Sequence, residues 1–340
     1  MSGNVVVVAG GLGDLGKLIT EAIQDTGKYE VHVMSRKAPQ DASSSTQLRA
    51  PIIQTDYSSE EALAELLVQH NCHTVICALG LDFQAASDSQ LTLIRAAERA
   101  PCVKRFIPSE FNVDYDLPDD VLPYPDKRFH TVARRALEKT SSLEFTYIYP
   151  GMFMDYFGMP NVSTHLRELC LFVDATNGVA LLPGDGETNM AASYTKDVAR
   201  YTALALELDK WPLVMTTASS ALTLNELVGM VSERLGRDLD VEYQSVSALQ
   251  KSVDGRILPR NVAIAEHFPG GVKQLSALLA ELGASVALGA YDFSKLKGEL
   301  NLVDYFSDKT TPPMTIEKLL DVAWGGKKVG SKGEALSVHK

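Results

Sequence analysis

The sequence predicts an α/β fold, a doubly wound parallel sheet with a smaller C-terminal lobe. Three observations carry this: short apolar runs alternate with longer amphipathic segments in the first half, a glycine-rich turn follows the first run, and the rhythm loosens past Pro150. Val5, Val6, Val7 and Val8 stand together without polar alternation, as a central parallel strand covered on both faces requires. Leu15, Ile19 and Ile23 follow at spacings of four, which places them on one helix face. Further strands are expected at 31–34, 52–54, 74–78, 103–107 and 145–148. A helix should begin at Ser58, whose spacing to Glu61 matches a capping box, and another should span 89–99.

Beyond Pro150, turn-forming stretches such as Gly158-Met159-Pro160 and Pro183-Gly184-Asp185-Gly186 separate less regular elements. A helix at 195–208 and a strand at 213–217 would return the chain to the sheet. A later helix is expected between Thr223, with Glu226 in capping-box position, and Gly236 as its stop. The expected division is a nucleotide-binding domain over 1–157, rejoined over 191–220, a substrate-binding lobe from 158–190 and 221–325, and a flexible tail at 326–340.

A chain of 340 residues with 45% apolar and 22% charged side chains can bury a sizeable core. Its net charge of -11, with no Lys/Arg-rich block, argues against nucleic acid or an anionic membrane as partner and favours a small molecule. No apolar run is long enough to span a bilayer, and the N-terminus lacks a signal-type core, so the expected compartment is the cytoplasm. Cys72, Cys77, Cys102 and Cys170 are scattered, which fits reduced thiols and no metal site. The sequence leaves a homodimer open.

After the first strand stands Gly10-Gly11-Leu12-Gly13-Asp14-Leu15-Gly16. Between a buried strand and an amphipathic helix, such glycines permit a tight turn and let a pyrophosphate approach backbone N–H groups at a helix N-terminus, the signature of a Rossmann-type sheet. The second strand ends in Ser35-Arg36-Lys37, where an acidic residue would read a ribose 2′-hydroxyl. A guanidinium there grips a phosphate instead, so NADP(H) is the expected cofactor. Asp56 is placed either to accept from the adenine amino group or to cap the next helix. Ala78, Leu79 and Gly80, at the end of the fourth strand, are expected to border the cofactor.

The stretch Gln90-Leu91-Thr92-Leu93-Ile94-Arg95-Ala96-Ala97, followed by Val103-Lys104-Arg105-Phe106-Ile107-Pro108-Ser109-Glu110-Phe111, resembles the isoflavone reductase-like and NmrA-like families of atypical short-chain dehydrogenases. Arg134-Arg135-Ala136-Leu137-Glu138 and residues 147–157 continue the match in order, so the resemblance runs over about residues 4–235. It implies an NADPH-dependent reductase of phenylpropanoid-like or other conjugated natural products. Some NmrA-like relatives bind the dinucleotide as a regulatory signal instead, so the resemblance leaves a redox sensor open.

Hydride arrival makes an enone, imine or quinone methide more basic, so a proton donor near its heteroatom is expected. The Tyr-x-x-x-Lys pair of ordinary short-chain dehydrogenases is absent from the plausible region, which reads Tyr124-Pro125-Asp126-Lys127, and Tyr291-x-x-x-Lys295 lies beyond the Rossmann portion and reads as chance. In isoflavone reductase-like enzymes a lysine precedes the paired arginines by four residues, and the match puts His130 there. Lys127, three residues earlier, would share its helix face, so the proton donor is expected in this pair. His130 has the better intrinsic pKa near neutrality. Ser109 and Phe111 leave the carboxyl end of a strand, where such sheets place ligands, with Phe111 beside the nicotinamide and Glu110 toward the pocket or orienting Lys127. Phe153, Tyr156 and Phe157 are candidates for an aromatic substrate pocket, with core packing as the alternative. A redox-sensing regulator and a redox-neutral isomerase or cyclase stand beside the reductase as alternatives.

Overall fold

The computed structural model describes residues 5–37, 49–251 and 256–326, so the expected tail falls, from residue 327 on, outside the described residues. Strands β1 (Val5–Ala9), β2 (Glu30–Ser35), β3 (Ile52–Gln54), β4 (Cys72–Cys77), β5 (Arg105–Ile107) and β6 (Glu144–Phe145) form one parallel sheet in the order β3-β2-β1-β4-β5-β6. This is the Rossmann order: after β3 the chain crosses back beside β1, which opens a crevice at the carboxyl ends of β1 and β4.

Val5, Val7 and Ala9 pack into a core shared with α2 (Glu60–Gln69), α3 (Gln84–Arg99) and α4 (Arg128–Leu137). Val6 and Val8 pack on the other side, against α1 (Asp14–Asp25) and α5 (Thr195–Ala205). The unalternating valine run therefore has the expected cause, since both faces of β1 are covered. Each valine moved out of water contributes about 1.5 kcal/mol or more.

Two helix starts differ from expectation. Ser59, not Ser58, caps α2, its side chain accepting from the Ala62 N–H, while Ser58 bonds Asp56 instead. Helix α3 begins at Gln84 rather than at 89, so Ser89 lies inside it with its hydroxyl donating to the Ala85 carbonyl.

The rest of the chain adds β7 (Tyr147–Tyr149), β8 (Met152–Phe153), β9 (Val173–Asp174), β10 (Val179–Pro183), β11 (Met190–Ser193), β12 (Val214–Thr216), β13 (Ser220–Leu222), β14 (Asp240–Gln244) and β15 (Leu300–Asn301). They make three small sheets, β14-β10-β9, β13-β11-β8 and β15-β12-β7. Strand β7 follows β6 after Thr146 alone, and β12 runs parallel to it. Helix α6 (Leu224–Leu235) has both bonds of the Thr223–Glu226 capping box and ends on Gly236 at φ 63°. Its apolar face packs with α8 (Ile316–Trp324) in a further core shared with β8, β10 and β11, while α7 (Gly271–Ala287) lies over the crevice. Cys72, Cys77, Cys102 and Cys170 are free thiols. No helix among the described residues is long and apolar enough to cross a membrane.

Candidate functional site

The crevice opens into a cavity of about 530 Å³ at the carboxyl ends of β1, β4 and β5. Gly13, Asp14 and Leu15 follow β1 on its border, Ala78, Leu79 and Gly80 follow β4, and Ser109, Phe111, Asn112 and Tyr115 follow β5. Phe153 and Tyr156 come from the segment around β8, His130 from α4, leucines from α7, and Tyr124 and Tyr291 complete an aromatic wall.

The glycines of the first turn have separate reasons to be glycine. Gly10 has φ +80°, and a Cβ on it would meet the Ala78 carbonyl oxygen at 2.6 Å. A Cβ on Gly11 would strike Val33 at 2.7 Å, and one on Gly16 the Gly10 carbonyl oxygen at 2.3 Å. These three let strand, turn and helix approach one another. Gly13 differs, because a Cβ there meets only the Gly10 carbonyl oxygen, at 3.4 Å, and the position faces the cavity. Leu12 is half-buried within the turn and does not line the cavity. Gly13 caps α1 without a side chain, so the N–H groups of the first turn of α1 are presented to whatever lies in front. The space and the donors fit a pyrophosphate.

The Gly10 N–H donates to the Met34 carbonyl at 3.2 Å, which fixes the end of β2 beside this turn. Arg36 and Lys37 leave β2 there, both exposed, and no carboxylate among the described residues pairs with either. Asp56 is exposed and off the cavity lining, and its carboxylate accepts from the Ser58 hydroxyl and N–H at 2.6 and 2.8 Å, which holds its pKa below the usual range.

His130 is 7% exposed, with Nδ1 3.0 Å from the Ser109 carbonyl oxygen. A carbonyl only accepts, so Nδ1 carries the proton and Nε2 the lone pair. Burial pushes the pKa down to about 3, and so the expectation of an ordinary near-neutral histidine is corrected: the imidazole is neutral at physiological pH. Lys127 does not reach the cavity. Residues Pro125–Lys127 form a tighter three-residue turn ahead of α4, so α-helical spacing fails, and Nζ donates to the Leu117 carbonyl at 2.6 Å and pairs with Asp119 at 2.7 Å.

Two pocket candidates are corrected as well. Glu110 is fully buried behind the wall and binds Arg134 through Nη2 at 2.6 Å and Nε at 2.8 Å, with burial pushing its carboxyl up against the pull of the guanidinium. Phe157 packs in the core beneath α6 and α8, its carbonyl accepting from Trp324 Nε1 at 2.9 Å. Arg134 also grips Asp114 and the Tyr149 hydroxyl, one helical turn after His130. The segment carrying Phe111, Asn112 and Tyr115 is thus anchored from behind.

Sequence reasoning missed Asn112, Tyr115, Tyr124 and Tyr291. Tyr291 donates to Asn112 Oδ1 at 2.9 Å, and Asn112 Nδ2 donates to the Tyr115 hydroxyl at 3.1 Å. Lys295 is exposed and pairs with Asp292, so the Tyr291-x-x-x-Lys295 spacing has no meaning even though Tyr291 itself enters the site. Asn112 and Tyr115 directly follow Pro108-Ser109-Glu110-Phe111, and carrying the strand-end argument a few residues further would have found them.

The oxidoreductase swnN of Metarhizium robertsii is 30% identical over 287 residues, 76% of this chain and 82% of the relative. The isoflavone reductase homolog IRL of Zea mays is 27% identical over 269 residues, 76% of this chain and 84% of the relative. The solved structure of AtPrR2 with NADP+ and (+)pinoresinol superposes with a TM-score of 0.72 at 20% identity, over 95% of this chain and 99% of that one, a likeness of fold. The model of the NmrA-like family matches residues 2–268. By that match, across a Rossmann sheet with its glycine turn at the crevice, the chain belongs to the NmrA-like family.

Proposed function

We propose that the protein is an NADPH-dependent oxidoreductase that reduces a conjugated or aromatic small molecule of the enone, imine or quinone-methide type, in secondary metabolism and in the cytoplasm. The observation that carries this reading is the single cavity joining the glycine turn at Gly13 to an apolar, tyrosine-rich wall at Phe153, Tyr156 and Tyr291. The relatives' names, an oxidoreductase and an isoflavone reductase homolog, point the same way, as does the NADP+ held by AtPrR2.

The first turn of α1, opened by Gly13, would hold the pyrophosphate, and Arg36 with Lys37 the 2′-phosphate. Asp56 would sit toward the adenine end, and Ala78, Leu79, Gly80, Ser109 and Phe111 would border the nicotinamide. A bound reduced nicotinamide supplies hydride. Phe153 and Tyr156 cover the acceptor and exclude water. His130, neutral and with its lone pair at Nε2, accepts a hydrogen bond from a hydroxyl or N–H of the substrate instead of delivering a proton. Lys127 has no part in the chemistry.

The test is loss of the reduced-nicotinamide absorbance on adding phenolic enones, cyclic imines and quinones, with the product identified by mass. Turnover of one class with NADPH is expected. Tight NADPH binding with no acceptor consumed overturns the reductase and favours a redox sensor. Conversion of an acceptor to an isomer of unchanged mass, with NADPH intact, favours redox-neutral chemistry.

A further inference from the structure

The hydroxyls of the aromatic wall form an ordered array. Tyr291 donates to Asn112 Oδ1, and the amide's other end, Nδ2, donates to the Tyr115 hydroxyl. Each bond fixes the sense of the next: Tyr291 spends its proton on Asn112, and the Tyr115 oxygen receives one from Asn112. The Tyr115 hydroxyl keeps its own proton, which goes to no acceptor among the described residues. Tyr115 is 5% exposed yet lines the cavity, and its ring is held flat against His130. A buried hydroxyl with an uncommitted proton is costly unless something accepts it. From this geometry we infer that Tyr115 is the hydrogen-bond donor to the substrate's reacting heteroatom, and that Asn112 and Tyr291 are positioning residues that aim it.

The assignment rests on the reductase reading and deepens it. Hydride adds to the substrate carbon, and the electron pair of the conjugated double bond moves to oxygen or nitrogen. The Tyr115 hydroxyl meets the negative charge that develops there, and solvent water supplies the completing proton as the product leaves the covered site. A donor already aimed at that position acts without reorganising. Burial raises the Tyr115 pKa, which keeps the phenol protonated and suits it to donating a hydrogen bond rather than giving up its proton. Asn112 accepts from Tyr291 and donates to Tyr115 at once, a task an amide performs and a carboxylate cannot.

Two measurements test this. The first uses 4-dimethylaminocinnamaldehyde, a conjugated carbonyl whose absorption moves to longer wavelength when its oxygen accepts a hydrogen bond, bound to the full chain with NADP+ so that no hydride is present. A red shift is expected with the natural protein and should vanish in Tyr115→Phe. It should also vanish in Asn112→Asp, where the new oxygen captures the Tyr115 proton. The same red shift in Tyr115→Phe, or none in the natural protein, overturns the assignment. The second is turnover of an acceptor from the panel: Tyr115→Phe should lower kcat about 10²-fold with little change in KM, the usual loss for one such donor. Asn112→Asp added to Tyr115→Phe should cost little more, since both act through one hydroxyl, whereas fully additive losses overturn the positioning role. A dye shift without NADPH consumption on any acceptor sinks the reductase reading and leaves the Tyr115 donor standing.

Discussion

The ring of Tyr115 lies on the imidazole of His130 with 3.6 Å between centroids and 9° between planes. The contact and the Ser109 carbonyl hold His130 in a dry, fixed orientation where the charged form is penalised. The folded-state pKa of about 3 lies below the ordinary histidine value of 6.5. In acid the unfolded chain takes up this proton first, so His130 favours the fold fully above pH ~6.5 and ever less as the pH falls toward ~3, by about 1.4 kcal/mol per unit. Urea unfolding between these limits should show His130→Gln with a shallower pH slope than the natural protein. Equal slopes would show that the folded protein binds the proton.

The glycine turn predicts opposite outcomes for neighbouring positions. Gly16→Ala forces a Cβ to 2.3 Å from the Gly10 carbonyl oxygen and should lower stability by about 1–3 kcal/mol, read as a reduced urea midpoint. Gly13→Val should fold normally and lose NADPH affinity in calorimetry, because its side chain enters the space left for the pyrophosphate. A Gly13→Val protein that binds NADPH at full strength would place the dinucleotide elsewhere.

Arg36 stands beside the turn, and no carboxylate among the described residues pairs with it. Arg36→Ala should weaken NADPH binding about tenfold to a hundredfold and leave NADH binding nearly unchanged, the loss of one charge-assisted phosphate contact. Parallel losses for both cofactors in a titration would remove Arg36 as the phosphate reader.

Buried charge makes Glu110 and Lys127 unequal, though both stood as candidates for the chemistry. Glu110→Ala leaves the Arg134 guanidinium buried with its main partner gone and should destabilise the fold by about 3–5 kcal/mol in denaturant unfolding. Lys127→Met loses a carbonyl contact and a pairing with exposed Asp119, and kcat should stay within about twofold. A rate loss of ~10²-fold in Lys127→Met would restore the lysine as proton donor.

These contrasts mark where sequence reading succeeds. Val5 to Val8, Gly10 to Gly16 and the Thr223–Glu226 box are local: spacing and backbone demands determine them, and each appears where the pattern puts it. Lys127 defeats the pattern because three residues of tighter turn rotate it off the helix face, and nothing in Pro125-Asp126-Lys127 announces that beyond the proline. Phe153 and Phe157 are aromatic residues four apart in one short segment, and only tertiary packing sends Phe157 to the core beneath α6 and α8 and Phe153 to the cavity. Tyr291 joins Asn112 across 179 positions, a separation at which periodicity has no voice.

The segment after β5 alternates its allegiance. Glu110, Asp114 and Asp116 reach back to Arg134, while Phe111, Asn112 and Tyr115 look into the cavity. Anchorage and presentation therefore fall on different residues of one short stretch. A lineage carrying this segment can exchange what it shows to a ligand without loosening its hold on the domain, so ligand preference and thermal tolerance are free to evolve on separate schedules.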